Sequence, residues 1–156
     1  MTNNDRPVIH AAVEVKSDAD GKDRLLKEIV QLVHTACSFS FDENEVYQEV
    51  MTREELSTTG FGNGFAIPHG KSSDLEKPIV SVCKLARKME WEALDDEKVD
   101  TVILLIIPKD NAEDLHLKLL SALSYNLMDQ NMQEKIREAD KEDELSDVIE
   151  SMLHIQ

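Results

Sequence analysis

The run Val102-Ile-Leu-Leu-Ile-Ile107 constrains this chain more than any other segment. It is too short for a membrane span, it is rich in β-branched residues, and it carries no polar face. A strand with apolar side chains on both sides must be covered on both sides, so the run predicts a central strand over Thr101–Ile107 inside a layered sheet. Pro108 closes it, because proline has no N–H for the ladder. Ile79, Ser81, Cys83 and Leu85 alternate with Val80, Val82, Lys84 and Ala86, which predicts a second strand with apolar residues on both faces. Val8–Val15 reads as a first strand.

Helical spacing connects these strands. Leu25, Leu26, Ile29, Leu32 and Val33 recur along one face up to about Ala36. Asp42 followed by Glu45 forms a capping-box pattern ahead of Val46, Val50 and Met51, a second helix. Thr52 and Glu55 repeat that pattern and predict a new turn starting near Arg53, at the positive end of a helix dipole, where a cation gains nothing and invites a functional explanation. Further helices are expected from about Ala112 to Met128, Gln130 to Ala139 and Glu142 to Leu153, the last burying Leu145, Val148, Ile149 and Met152. Strands separated by helices indicate an α/β fold, with strand order left open. Without repeats, low-complexity tracts or long linkers, the chain reads as one domain over residues 6–156.

With 32 acidic against 17 basic residues, the formal net charge is -15. Nucleic acid and anionic membranes are therefore poor partners in the absence of a basic patch. The polar start Met1-Thr-Asn-Asn-Asp-Arg6 lacks the apolar core of a signal peptide, and a cytoplasmic location is expected. Cys37 and Cys83 form no CxxC or zinc-ligand pattern and read as reduced and partly buried.

Chemistry concentrates in Gly60-Phe-Gly-Asn-Gly-Phe-Ala-Ile-Pro-His-Gly70, which holds four of the five glycines in the sequence. Glycine allows positive φ and close approach, while Pro68 stiffens the backbone before His69, here read as a fixed loop. His116 shares a helical face with Leu119, Leu120 and Leu123 and should point toward the protein body. Two imidazoles and an arginine can receive a phosphoryl group and neutralise its oxygens without a metal, and Arg53, His69 and His116 could make such a site. The two rings are then expected close together, with a nitrogen of His69 reaching solvent. His10, His34 and His154 read as structural or surface residues. No HExxH or thiol cluster suggests zinc. Gly70-Lys71-Ser72 is only a fragment of a nucleotide loop, because Phe65 stands where that pattern needs glycine.

The residues Thr52-Arg53-Glu54-Glu55, Ser57 to Gly70, the Leu94-Asp95 to Val99-Asp100 stretch and His116-Leu-Lys-Leu-Leu120 have a family order. From about residue 6 onward the sequence resembles the EIIA domain of the fructose and mannitol class of the bacterial phosphoenolpyruvate-dependent sugar phosphotransferase system, a class that includes nitrogen-regulatory EIIA-like proteins. The resemblance implies a mixed sheet with helices on both faces, phosphorylation of His69, a second active-site histidine at His116 and a nearby arginine at Arg53. It also implies a phosphotransferase component working through phosphohistidine, with phospho-HPr as donor, a cysteine of EIIB as acceptor, a membrane EIIC beyond it, and neither ATP nor a cofactor. A regulatory protein whose His69 phosphorylation controls a partner is the alternative, and a noncatalytic relative would show the three side chains far apart. Phe61 and Phe65 stand where the family usually carries smaller aliphatic residues, which suggests extra packing, as does Trp91. The acidic excess is expected to lie away from His69.

Overall fold

The computed structural model describes residues 6–37, 41–91, 97–110 and 112–153. In chain order the elements are β1 (Val8–Val15), α1 (Lys22–Ala36), α2 (Glu43–Leu56), β2 (Gly60–Gly62), β3 (Phe65–Ala66), β4 (His69–Ser72), β5 (Ile79–Met89), β6 (Val99–Pro108), α3 (Ala112–Leu127), α4 (Gln130–Glu138) and α5 (Glu142–Met152). The aliphatic run forms the middle of the sheet, which has the order β1-β5-β6-β3-β2. β5 pairs antiparallel with β6 and parallel with β1, so the sheet is mixed.

The far edge of β6 is shared in tandem. β3 pairs with it in parallel through Phe65 and Ala66, opposite Thr101 and Val102. β4 continues along the same edge, with His69 opposite Leu105 and Ser72 opposite Pro108. Between them the chain crosses Ile67-Pro68, and Leu105 donates its N–H to the Pro68 carbonyl at 3.0 Å. Proline fits there because its missing donor is not needed.

Pleating divides the core into two layers. Val102, Leu104 and Ile106 face one side with Ile79 and Cys83, where α1 and α2 supply Leu25, Leu26, Ile29, Val33, Val46 and Val50. Ile103, Leu105 and Ile107 face the other with Val80 and Val82, covered by Leu115, Leu119 and Leu123 of α3 and by Ile136, Leu145 and Ile149 of α4 and α5. The expected mixed sheet with helices on both faces is the observed fold.

Two expectations require correction. The turn predicted at Arg53 does not exist: α2 runs without a break from Glu43 to Leu56, capped by the Asp42 side chain on the N–H groups of Asn44 and Glu45. Thr52 and Glu55 are therefore interior positions, and Arg53 lies in the last turn, where the negative end of the dipole favours a cation. The glycine-rich segment is also not a loop. It is a strand, a tight turn and two further short strands, with His69 as the first residue of β4. Short strands of glycine and mixed polarity give no period-two signal, and their register is set by pairing with β6. His154 and Leu94–Asp95 fall outside the described residues.

Candidate functional site

The glycines earn their positions individually. Gly62 and Gly64 have φ of 113° and 92°, and Asn63 between them has φ 55°, so the turn from β2 to β3 needs residues that tolerate the left-handed region. Gly70 serves a different purpose: a Cβ there would lie 2.8 Å from Val50 Cγ2 and 3.1 Å from both the Val46 carbonyl oxygen and the Val50 nitrogen. Its absence lets α2 pack directly against β4. Glu45 tightens the same contact by accepting from Ser73 N and Oγ and pairing with Lys109 at 3.1 Å. Arg53 is brought beside the sheet edge by this packing.

Alternation along β4 then separates the side chains. Gly70 is opposite Ile106 and faces α2, while His69 and Lys71 are opposite Leu105 and Ile107 and face the α3 layer. There His69 meets His116, with ring centroids 4.4 Å apart and planes tilted by 40°. On α3, Leu115, Leu119 and Leu123 are buried and His116 is half-buried, so the helical face assigned from spacing is the one that meets the sheet. A cavity of about 210 Å³ opens between α2, β4 and α3, lined among others by Glu49, Arg53, Leu56, His69, Lys71 and His116. The three residues singled out from sequence are thus together, and the geometry expected of a noncatalytic relative is absent.

The hydrogen bond of His69 selects its tautomer. Nδ1 lies 3.1 Å from the Ile67 carbonyl, which can only accept, so Nδ1 carries the proton and Nε2 keeps its lone pair. Nε2 of His69 and Nε2 of His116 are both buried and have no hydrogen-bond partner. The expectation that a nitrogen of His69 reaches solvent is therefore not met: the residue is only 7% exposed and its neighbour ring packs against it. Leaving such an atom buried and unpaired costs about 1–3 kcal/mol, a feature that calls for a ligand or a reaction. Burial pushes His69 down from 6.5 to about 4, opposed by the bond to Ile67 and reinforced by His116, Arg53 and Lys71. His116 is lowered for the same reasons, burial first and then Lys71 and Arg53. Both rings are neutral at physiological pH, the state a nitrogen nucleophile requires.

Arg53 donates from Nη1 to the Ser57 carbonyl at 2.7 Å, which closes the end of α2 and steadies the guanidinium at the cavity wall. Lys71 was not singled out from sequence. Its signal was the interval from His69, since residues two apart on a strand share a face, but that signal needs β4 to be recognised as a strand. The two other described histidines are accounted for: His10 Nδ1 bonds Ser81 Oγ at 2.8 Å, and His34 pairs with Glu43 at 2.8 Å beside Phe41. Burial drives the Cys83 thiol up to about 11, and both described cysteines are unpaired. Phe65 and Trp91 are packed inside, and Phe61 is half-buried against the α3 layer. No group of three metal-ligating side chains occurs among the described residues, and no described helix is long and apolar enough to cross a membrane.

Known proteins share this arrangement of sequence. A family model described as "Phosphoenolpyruvate-dependent sugar phosphotransferase system, EIIA 2" matches residues 9–152. The chain belongs to this EIIA family. Among its relatives, a nitrogen regulatory protein of Pseudomonas aeruginosa is 33% identical over 128 residues, 82% of each chain. A fructose-specific EIIA component of Haloferax volcanii is 34% identical over 108 residues, 69% of this chain and 70% of the relative. The crystal structure of a nitrogen regulatory protein from Neisseria meningitidis superposes with a TM-score of 0.77 at 24% identity, covering 91% of this chain and 96% of that one, which establishes the shared fold. Membership supports an EIIA-like phosphoryl-transfer activity through a phosphohistidine.

Proposed function

We propose that this EIIA protein carries a phosphoryl group on Nε2 of His69 and uses it chiefly to regulate a partner protein. The observation that carries the acceptor assignment is the free, buried Nε2 lone pair of His69, held on a cavity that also presents Arg53, Lys71 and His116. In the transfer, Nε2 attacks the phosphorus of phospho-HPr, the N–P bond to the donor breaks, and the donor imidazole leaves with that electron pair. The His69 ring keeps its Nδ1 proton, and the positive charge it acquires is met by the Ile67 carbonyl. Arg53, Lys71 and His116 offset the phosphoryl oxygens, so charge stabilisation and orientation provide the catalysis. Since Nε2 is buried at rest, reaction requires the two rings to part or the cavity to widen as the donor docks.

The regulatory role is supported by the relatives that align over most of both chains. A nitrogen regulatory protein of Escherichia coli matches 96% of this chain and 94% of its own length at 31% identity. The fructose-specific relative from Haloferax volcanii favours sugar uptake as the second reading, with onward transfer to a cysteine of EIIB. Intact-mass measurement after incubation with phosphoenolpyruvate, enzyme I and HPr tests the first step. Wild type should gain one acid-labile phosphoryl group and His69→Ala none; equal labelling of both would move the acceptor elsewhere. A phosphorylated protein that keeps its group in the presence of EIIB partners supports regulation, and discharge onto an EIIB cysteine supports uptake.

A further inference from the structure

Among the described residues, Glu54 is the only buried carboxylate, 5% exposed near the end of α2. It does not line the cavity, yet it is tied to the reactive ring through backbone. Its carboxylate accepts the Thr59 N–H at 3.1 Å and the Thr59 hydroxyl, and it pairs with Lys22 Nζ of α1 at 3.1 Å. The Thr59 carbonyl accepts the Ile67 N–H at 3.0 Å. The Ile67 carbonyl accepts Nδ1–H of His69 at 3.1 Å. Thr59 is thus held at both its N–H and its C=O, and so is Ile67, the residues immediately before β2 and immediately after β3.

An ionised carboxylate at a buried position is costly, and burial raises Glu54 against the opposing pull of Lys22 and Thr59. A purely apolar helix end would avoid that cost but would leave Thr59 N–H without its acceptor. We propose that Glu54 is a positioning residue: by anchoring Thr59 it fixes the Ile67 carbonyl, and through it the Nδ1–H tautomer and orientation of His69. This inference rests on the reading of His69 as phosphoryl acceptor for its functional consequence, while its structural core, control of the ring tautomer, stands apart. Glu54 touches neither the phosphoryl group nor the ring. Lys22 offsets the buried charge and should be dispensable for the tautomer, because it makes no bond along the Thr59–Ile67–His69 path.

The test compares full-length wild type, Glu54→Gln, Glu54→Leu and Lys22→Met, each with nitrogen-15 histidine, by long-range proton–nitrogen spectra at pH 7.5. Wild type and Lys22→Met should show His69 with Nδ1 protonated and Nε2 bare. Glu54→Gln keeps an oxygen acceptor for Thr59 and should retain that form. Glu54→Leu should give a mixture of tautomers and slow phosphorylation by phospho-HPr about tenfold, with the loss in kcat rather than KM. If Glu54→Leu does not fold, Thr59→Val, which removes only the hydroxyl bond, should shift the tautomer balance in the same direction. A His69 that stays fully Nδ1-protonated in a folded Glu54→Leu or Thr59→Val overturns the inference, even if phosphorylation slows. A wild-type protein that phospho-HPr does not label refutes the carrier reading, yet the tautomer spectra still decide the role of Glu54.

Discussion

Replacing His69 by glutamine should remove a large acid-dependent loss of stability. In the folded protein burial holds the ring at about 4, below its ordinary 6.5. Protons therefore bind the unfolded chain first as the pH falls. The sign follows: the stability linked to neutral His69 is fully present above pH 6.5 and is lost as the pH drops through 6.5 toward 4. A gap of about 2.5 pH units corresponds to a ceiling of about 3 kcal/mol, most of it already gone at pH 4.5. His69 is 7% exposed, so little of this is screened by solvent. Urea unfolding of wild type and His69→Gln at several pH values between 7.5 and 4.5 measures the effect. Carboxylates common to both proteins cancel in the comparison. The stability difference should move in favour of the variant by about 2–3 kcal/mol across that range. A difference independent of pH would refute the buried, neutral acceptor, and with it the argument that Nε2 is ready to attack at neutral pH without deprotonation.

His116→Ala removes the ring packed against His69, and on the carrier reading phosphorylation of His69 should slow by about tenfold to a hundredfold while the acceptor itself stays available, as rapid-quench measurement of each half-reaction would show. Lys71→Met should raise the His69 value, since the lysine lowers it, and weaken phosphoryl acceptance; a titration of the ring by NMR that shows no upward movement would contradict the role. Gly70→Ala forces its new methyl against Val50 and the α2 backbone, costing about 1–3 kcal/mol in chemical denaturation and displacing Arg53 enough to slow phosphorylation. Asp42→Ala removes the α2 cap and should cost about 1 kcal/mol with unchanged transfer rates, which separates stability from chemistry.

The relation between sequence and structure differs from element to element. The two long strands and most helix limits were legible because side chains at periods of two and 3.6 must sort apolar from polar whatever the rest of the chain does. His69 and His116 were legible too, one from its glycine and proline setting and the other from its place on an apolar helical face. The turn expected at Arg53 was not real, because Val46 and Val50 keep α2 packed against β4 and carry the helix through a local capping pattern.

The amino-acid sequence alone determined that this chain must build a sheet covered on both sides, and it singled out the residues here proposed to handle a phosphoryl group. Those properties depend on local periodicity and on side-chain chemistry. Tertiary structure decided the rest. Pairing with β6 turned a glycine-rich segment into strands and so aimed His69 and Lys71 at α3 and Gly70 at α2. Only that packing determines which ring nitrogen is bare, how low its proton affinity falls, and that Glu54, present in the sequence only as part of a motif, reaches Thr59. Each of these depends on contacts between residues brought together by the sheet, where burial and hydrogen bonding have no one-dimensional signature.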